Sequence, residues 1–198
     1  VKKLESLGED YGLCYTGYRI IRKSGEEHYS TERREGNCYL SALMRTFYIC
    51  GGSNLLIKKS VVDEINGFDE SFKRNQDIEF ITRALQNYKI AYVDETLLDI
   101  HQDDAIRKKQ PYEIVDTYSK HYLEKFNDRI NALNENDRKR VISVISLDRC
   151  RVAFQYKHYR KGFAILKENK VPFSYIFKYF KYLVKRFITK KSYGFDGK

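Results

Sequence analysis

The residues best suited to chemistry lie between positions 67 and 101. Gly67-Phe68-Asp69-Glu70 makes a compact polar turn, Gln76-Asp77 opens a helical stretch, and His101 ends a largely apolar run that starts near Lys89. A carboxylate in the first turn of a helix sits in the favourable field of unpaired N–H groups, which would keep Asp77 ionised and fixed. Such a group suits a general base that takes the proton of an attacking hydroxyl. The plainer role for Asp77 is to complete the helix cap. Glu79 and Arg83, four apart, read most simply as a surface ion pair. Phe68 suits a core or pocket wall as well as a platform, and Asp103 and Asp104 suit a solvated loop. Gly51-Gly52 is not followed by the Lys-Ser/Thr of a phosphate loop, so no nucleotide cradle is expected there.

These residues need positioning. The pattern predicts a short strand over 54–58 and a short helix over 60–65, N-capped by Ser60 and stopped by Asn66-Gly67. A helix over 77–87 follows, with Ile78, Ile81, Leu85 and Tyr88 on one face. Two strands, 89–93 and 96–100, separated by Asp94-Glu95, would return His101 towards the helix start. Upstream, 11–21 is β-branched and aromatic, interrupted by Gly12 and Gly17, with a hairpin return over 28–30 and helical spacing over 37–46. After residue 105 no strand signal survives, and helices are expected over 111–126, 138–157, 159–167 and 173–191. The predicted fold class is α/β, a small mixed sheet with helices over 1–105, followed by an all-α C-terminal extension over 106–198.

Composition narrows the partners without choosing one. Lys and Arg number 37 against 27 Asp and Glu, a formal charge of +10, among 17 Tyr and 12 Phe in 198 residues. That balance favours polyanions: phosphate esters, anionic lipid headgroups or nucleic acid. Cysteines 14, 38, 50 and 150 form no Cys-x-x-Cys, which reads as free thiols in a reducing compartment. No apolar run of about 18 residues and no signal peptide are visible. The chain opens on residues that look like the end of a helix, so it reads as a piece of something longer. In 173–191, Lys178, Lys181 and Lys185 share a face among Tyr and Phe. Such a helix either lies in a lipid headgroup layer or docks on its own domain with a solvated basic edge.

Taken together, the segment resembles the acceptor-side half of a family 2 glycosyltransferase with the GT-A fold, of the kind that builds bacterial capsular and other surface polysaccharides. Gly67-Phe68-Asp69-Glu70 matches the family's Gly-Phe-Asp-Glu turn. Gln76-Asp77 with Arg83 matches its acidic pair and downstream Arg, and Tyr92-Val93 with His101 matches the strand pair that ends in His. The resemblance covers residues 1–105 and implies a partial GT-A fold, the Rossmann-like nucleotide-diphospho-sugar transferase architecture. It implies inverting transfer from a nucleotide-diphosphate sugar to the hydroxyl of a sugar or lipid-linked acceptor, with a divalent metal, Mn or Mg. Asp77 is then the base, Gln76, Phe68 and Asp69 bind the acceptor, and His101 holds the metal or the diphosphate.

Two departures stand out. Gln76 replaces the usual Glu, and the family's Asp-x-Asp metal motif and N-terminal nucleotide-binding units are absent from this sequence. The donor half is therefore expected upstream, and the chain as it stands is not expected to turn over. A sheet without those units should expose an edge and an apolar face. The implied location is cytoplasmic, with peripheral contact on the inner face of the plasma membrane through 173–191 as an option. The alternatives are a non-catalytic basic module for RNA or another polyanion, or a scaffold. No RNA-binding signature appears, so nucleic acid is not favoured.

Overall fold

The computed structural model describes residues 1–102, 110–189 and 194–197. The chain is mixed α/β with a small mixed sheet and divides into two compact units, Val1–Ala42 with Phe47–Lys108, and Leu43–Thr46 with Lys109–Lys198. Asp103 and Asp104 fall outside the described residues, as do Lys190 and Lys191.

The first unit contains α1 (Lys2–Glu5), β1 (Tyr11–Arg22), β2 (Glu27–Tyr29), all but the last residue of α2 (Tyr39–Leu43), a 3-10 turn (Gly51–Asn54) and β3 (Leu56–Ile57). It closes with α3 (Lys59–Glu64), α4 (Gln76–Asn87) and β4 (Lys89–Gln102). β1 is central. It pairs antiparallel with β2 through Ile20 and His28, antiparallel with β3 through Leu13 and Ile57, and parallel with β4 from Tyr11–Lys89 to Arg22–Gln102.

The two strands expected over 89–100 are one. Asp94-Glu95 does not turn the chain; register shifts on either side of Gly17 absorb it as an irregularity in a continuous ladder. Glycine eases the approach at 17, because a Cβ there would lie 3.1 Å from the Glu95 carbonyl oxygen and 3.1 Å from Thr96 Oγ1, so these neighbours would have to give way.

Side-chain alternation divides the sheet into two faces. Leu13 and Tyr15 of β1 and Ile90 and Tyr92 of β4 point into the main core, where Val61 of α3 and Phe80, Ile81, Ala84 and Leu85 of α4 meet them. Cys14 and Ala91 point the other way and are covered by Leu4 of α1 in a much smaller cluster. The outer edge of β4 carries one isolated bridge, Ile90 to Gly36, among the described residues.

α3 begins at Lys59 with Lys58 as its N-cap, so Ser60 lies inside the helix and does not cap it. Its end is as the sequence suggests: Asn66 and Gly67 are both left-handed, with φ of 57° and 63°. The Gly67 N–H donates to the Val62 carbonyl at 3.0 Å, closing the helix end.

The second unit is helical: α5 (Tyr112–Lys125), α6 (Asn127–Asn131), α7 (Glu135–Gln155), α8 (Tyr159–Glu168) and α9 (Phe173–Thr189). α7 is its axis, burying Val141, Val144, Ile145, Leu147, Cys150 and Ala153, and α5, α6, α8 and α9 all pack against it. It starts three residues before the position expected from the sequence. Asn134 is the reason: its side chain accepts the Asp137 N–H at 3.0 Å, and Glu135 and Asp137 occupy the favourable first turn. Among the described residues, no helix is long and apolar enough to cross a membrane.

Candidate functional site

Asp77 stands in the first turn of α4, half-buried. The residue before the helix, Asn75, takes a left-handed conformation with φ of 60° and makes no side-chain cap. Asp77 is therefore delivered by a backbone bend, not by a capping hydrogen bond. Its electrostatic neighbour is Cys50, whose thiol is pushed up by burial and then by the Asp77 charge. Cys50 is itself left-handed, with φ of 66°, and leads into the Gly51–Asn54 turn, which packs against α4.

The Gly67 turn is held to the same helix by a buried clamp. Glu79, expected at the surface, is fully buried, and its partner Arg83 nearly so. The Arg83 guanidinium meets the Glu79 carboxylate with two hydrogen bonds, Nε to Oε1 at 2.5 Å and Nη2 to Oε2 at 2.9 Å. It also donates to the Ile65 carbonyl and, at 2.7 Å, to the Gly67 carbonyl.

This geometry explains how a charged pair survives inside. The guanidinium fork matches a carboxylate on one side, while its remaining N–H groups neutralise carbonyls left orphaned at the end of α3. A cation at a helix C-terminus also faces the negative end of the macrodipole. The surface-pair reading fails because these carbonyl partners come from the turn that ends α3, which helical spacing cannot reveal.

Phe68, one residue beyond the clamped carbonyl, stacks on Phe80 with centroids 4.5 Å apart and planes inclined by 25°. Its partner is buried, while Phe68 itself is 54 % exposed, so it forms a wall with an open side. Asp69 accepts the Ser71 N–H at 2.9 Å, an Asx turn that shapes the loop leading to α4. Gln76 is exposed at the start of α4. Asp77 and Gln76 thus open α4, while Phe68 and Asp69 lie on the turn that Arg83 fastens to the same helix.

His101 belongs to another neighbourhood. It lies exposed near the end of β4, in register with Ile21. Its charged neighbour is Asp99, whose carboxyl is held below its usual range chiefly by hydrogen bonds from Arg19, at 3.0 and 2.6 Å. The single strand carries the histidine onward where two strands would have brought it back. Among the described residues, no interaction joins His101 to Asp77, and no three His, Cys, Asp or Glu side chains are grouped so as to hold a metal.

An open cleft of about 580 Å³ lies on the thinly covered face of the sheet, lined by Lys3, Thr16, Asn54, Leu56, Glu95 and Leu98 among others. Asp77 is not part of its lining. The Gly51–Asn54 turn links the two places, since Cys50 at its head neighbours Asp77 and Asn54 at its foot lines the cleft.

Asn54 was not singled out from the sequence. Buried, it gives Nδ2 to the Thr16 carbonyl at 2.7 Å and accepts the Thr16 N–H at 3.2 Å and hydroxyl at 2.8 Å. It continues the β3 ladder by side chain where β1 becomes irregular. A residue poor in strand propensity, placed in a run otherwise fit for a strand, was the available signal.

All four cysteines are free thiols, and burial pushes the Cys38 thiol up to about 11. Compared with protein-family models and with curated proteins, the chain matches none.

Proposed function

We propose that the first unit is the acceptor-side part of an inverting, GT-A-type sugar transferase of the family 2 kind, with Asp77 as the general base. One observation supports this above the others. The Arg83–Glu79 clamp fastens the Gly67-Phe68-Asp69-Glu70 turn to the downstream Arg of the pattern, on the same helix whose first turn carries Asp77.

The chemistry follows from the residues in place. An alcohol is a weak nucleophile, and it gains strength if its proton leaves as its oxygen attacks. The acceptor oxygen forms a bond to the anomeric carbon while the bond from that carbon to the nucleotide diphosphate breaks. The bonding pair leaves with the diphosphate, and the hydroxyl proton passes to a carboxylate oxygen of Asp77. Phe68, backed by Phe80, offers a flat apolar surface to the C–H face of a sugar ring, and Gln76 offers an amide to its hydroxyls. Gln76 cannot supply the second carboxylate usual in the family, so all proton transfer falls on Asp77. Donor binding is left to residues other than Asp77, Gln76, Phe68 and Asp69.

The test is transfer by the full-length polypeptide to hydroxyl acceptors from a panel of nucleotide-diphosphate sugars. Asp77→Asn should lower turnover by about 10²–10⁴-fold, the usual worth of a positioned base, with an unchanged circular dichroism spectrum. Near-normal transfer by that variant would remove Asp77 from the role. Retention of RNA in a salt-sensitive manner, with no response to any sugar nucleotide, would favour the basic-module reading.

A further inference from the structure

α9 buries one face and leaves a second apolar face uncovered. Tyr179 is buried, and Tyr175, Ile176, Tyr182 and Leu183 are half-buried around it. Phe195 anchors this side, with its ring 5.0 Å from that of Tyr179 and 5.5 Å from that of Tyr182. The outward face carries Phe173, Phe177, Phe180, Val184, Phe187 and Ile188, all exposed, with Phe187 at 87 %. At about 100° per residue these six fall within an arc of about 100°. A helix docked only on its own unit would not repeat large apolar residues along its solvent side.

Charge identifies what that side meets. α9 contains Lys178, Lys181, Lys185 and Arg186 and no acidic residue. The three lysines run along one border of the outward stripe, between it and the buried face. Their stems follow the aromatic rings: Lys178 Nζ lies 5.8 Å from the Tyr175 ring centre and Lys181 Nζ 4.5 Å from that of Phe177. This places a cationic row directly beside an apolar strip.

We infer that α9 is an interfacial helix that lies in the plane of an anionic lipid surface, its phenylalanines among the upper acyl chains and its lysines at the headgroups. Seventeen residues span about 25 Å and carry four cations beside the apolar strip, which suits a helix lying along a bilayer surface. A second copy of the chain is the weaker occupant. Its stripe would bring lysine rows together with no acidic residue on the helix to answer them. This inference does not depend on sugar transfer by the first unit.

The experiment is flotation of the full chain with vesicles of phosphatidylcholine alone and of phosphatidylcholine rich in phosphatidylglycerol. The wild type should float with the anionic vesicles and be released by salt. Lys178→Glu/Lys181→Glu/Lys185→Glu should lower partitioning on the order of a hundredfold, from several-fold per cation. Phe177→Ser/Phe180→Ser/Phe187→Ser should lower it at least about tenfold while keeping the helical signal, since these side chains are exposed. Equal binding to both vesicle types, or binding that neither variant weakens, overturns the inference. So does a concentration-dependent dimer that the phenylalanine variant abolishes in the absence of lipid, or retention on RNA without flotation.

Discussion

Helices α4 and α9 both combine apolar and charged faces, yet they use these materials in opposite ways. α4 buries its apolar face and then buries a charged pair as well, Glu79 with Arg83, because every polar atom of the fork finds a partner. α9 buries Tyr179, half-buries Tyr175 and Tyr182, and leaves its phenylalanines out. Amphipathic periodicity reports that two faces of a helix differ. It does not report which face is covered, or by what. In α4 the buried charges are explained inside the unit; in α9 the exposed rings have no such explanation, and that asymmetry separates a supporting element from a contacting one.

The comparison is exposed to measurement. The largest effect should come from Glu79→Ala, which leaves the Arg83 charge buried without its carboxylate. A loss of about 3–5 kcal/mol in urea unfolding is expected, and a loss under about 1 kcal/mol would mean that the pair is as solvated as a surface one. Tyr179→Ala should cost about 3 kcal/mol by the same assay through lost ring contacts. Phe187→Ala, on the same helix but outward, should stay within about 0.5 kcal/mol. Equal costs for the two would dissolve the distinction between the faces of α9. Asn54→Ala should cost about 1–3 kcal/mol, because the backbone groups of Thr16 lose their partner.

Acid offers a further probe, now in the second unit. Burial alone would raise the Asp116 carboxyl, but hydrogen bonds and charge from Arg149 and Lys120 outweigh it and hold the group below its usual value. A carboxyl lowered by folding contributes stability that is full above its unfolded value, about 3.9, and is lost as pH falls through the lower folded value. Asp116→Asn should therefore flatten the stability profile below about pH 4. The smallest effect is a test of proximity: Asp77→Asn removes the charge that helps raise the Cys50 thiol, so alkylation of Cys50 should accelerate by less than about tenfold. An unchanged rate would place the two groups outside electrostatic reach.

Much of this organisation can be read from residue order, and the gaps have physical causes. The α/β character, the small mixed sheet, the stop at Asn66-Gly67 and the course of α4 follow from local spacing and from the freedom of Gly at positive φ. The continuity of β4 does not, because Asp94-Glu95 carries the composition of a turn, and only pairing with an equally irregular β1 makes it strand. The start of α7 was hidden in the polar run 134–137, where a cap and a loop look alike. The burial of Glu79 could not be foreseen from a pair four residues apart, since the carbonyls of Ile65 and Gly67 that make it tolerable arrive from the turn after α3. At the candidate site, Asp77 and Phe68 stood out through their motif, whereas Asn54 and Cys50 gained meaning only from neighbours distant in sequence.

The parallel pairing of β1 with β4 has a consequence for how the first unit assembles. β1 can meet β2 almost as soon as both exist, since one tight turn joins them, but its long ladder from Tyr11–Lys89 onward must wait until α3 and α4 have been made and packed. Closing so wide a loop is slow, and the central strand keeps one flank open in the interval. A nascent chain therefore passes through a stage in which Leu13 and Tyr15 are bare, the period when a chaperone would find most to hold.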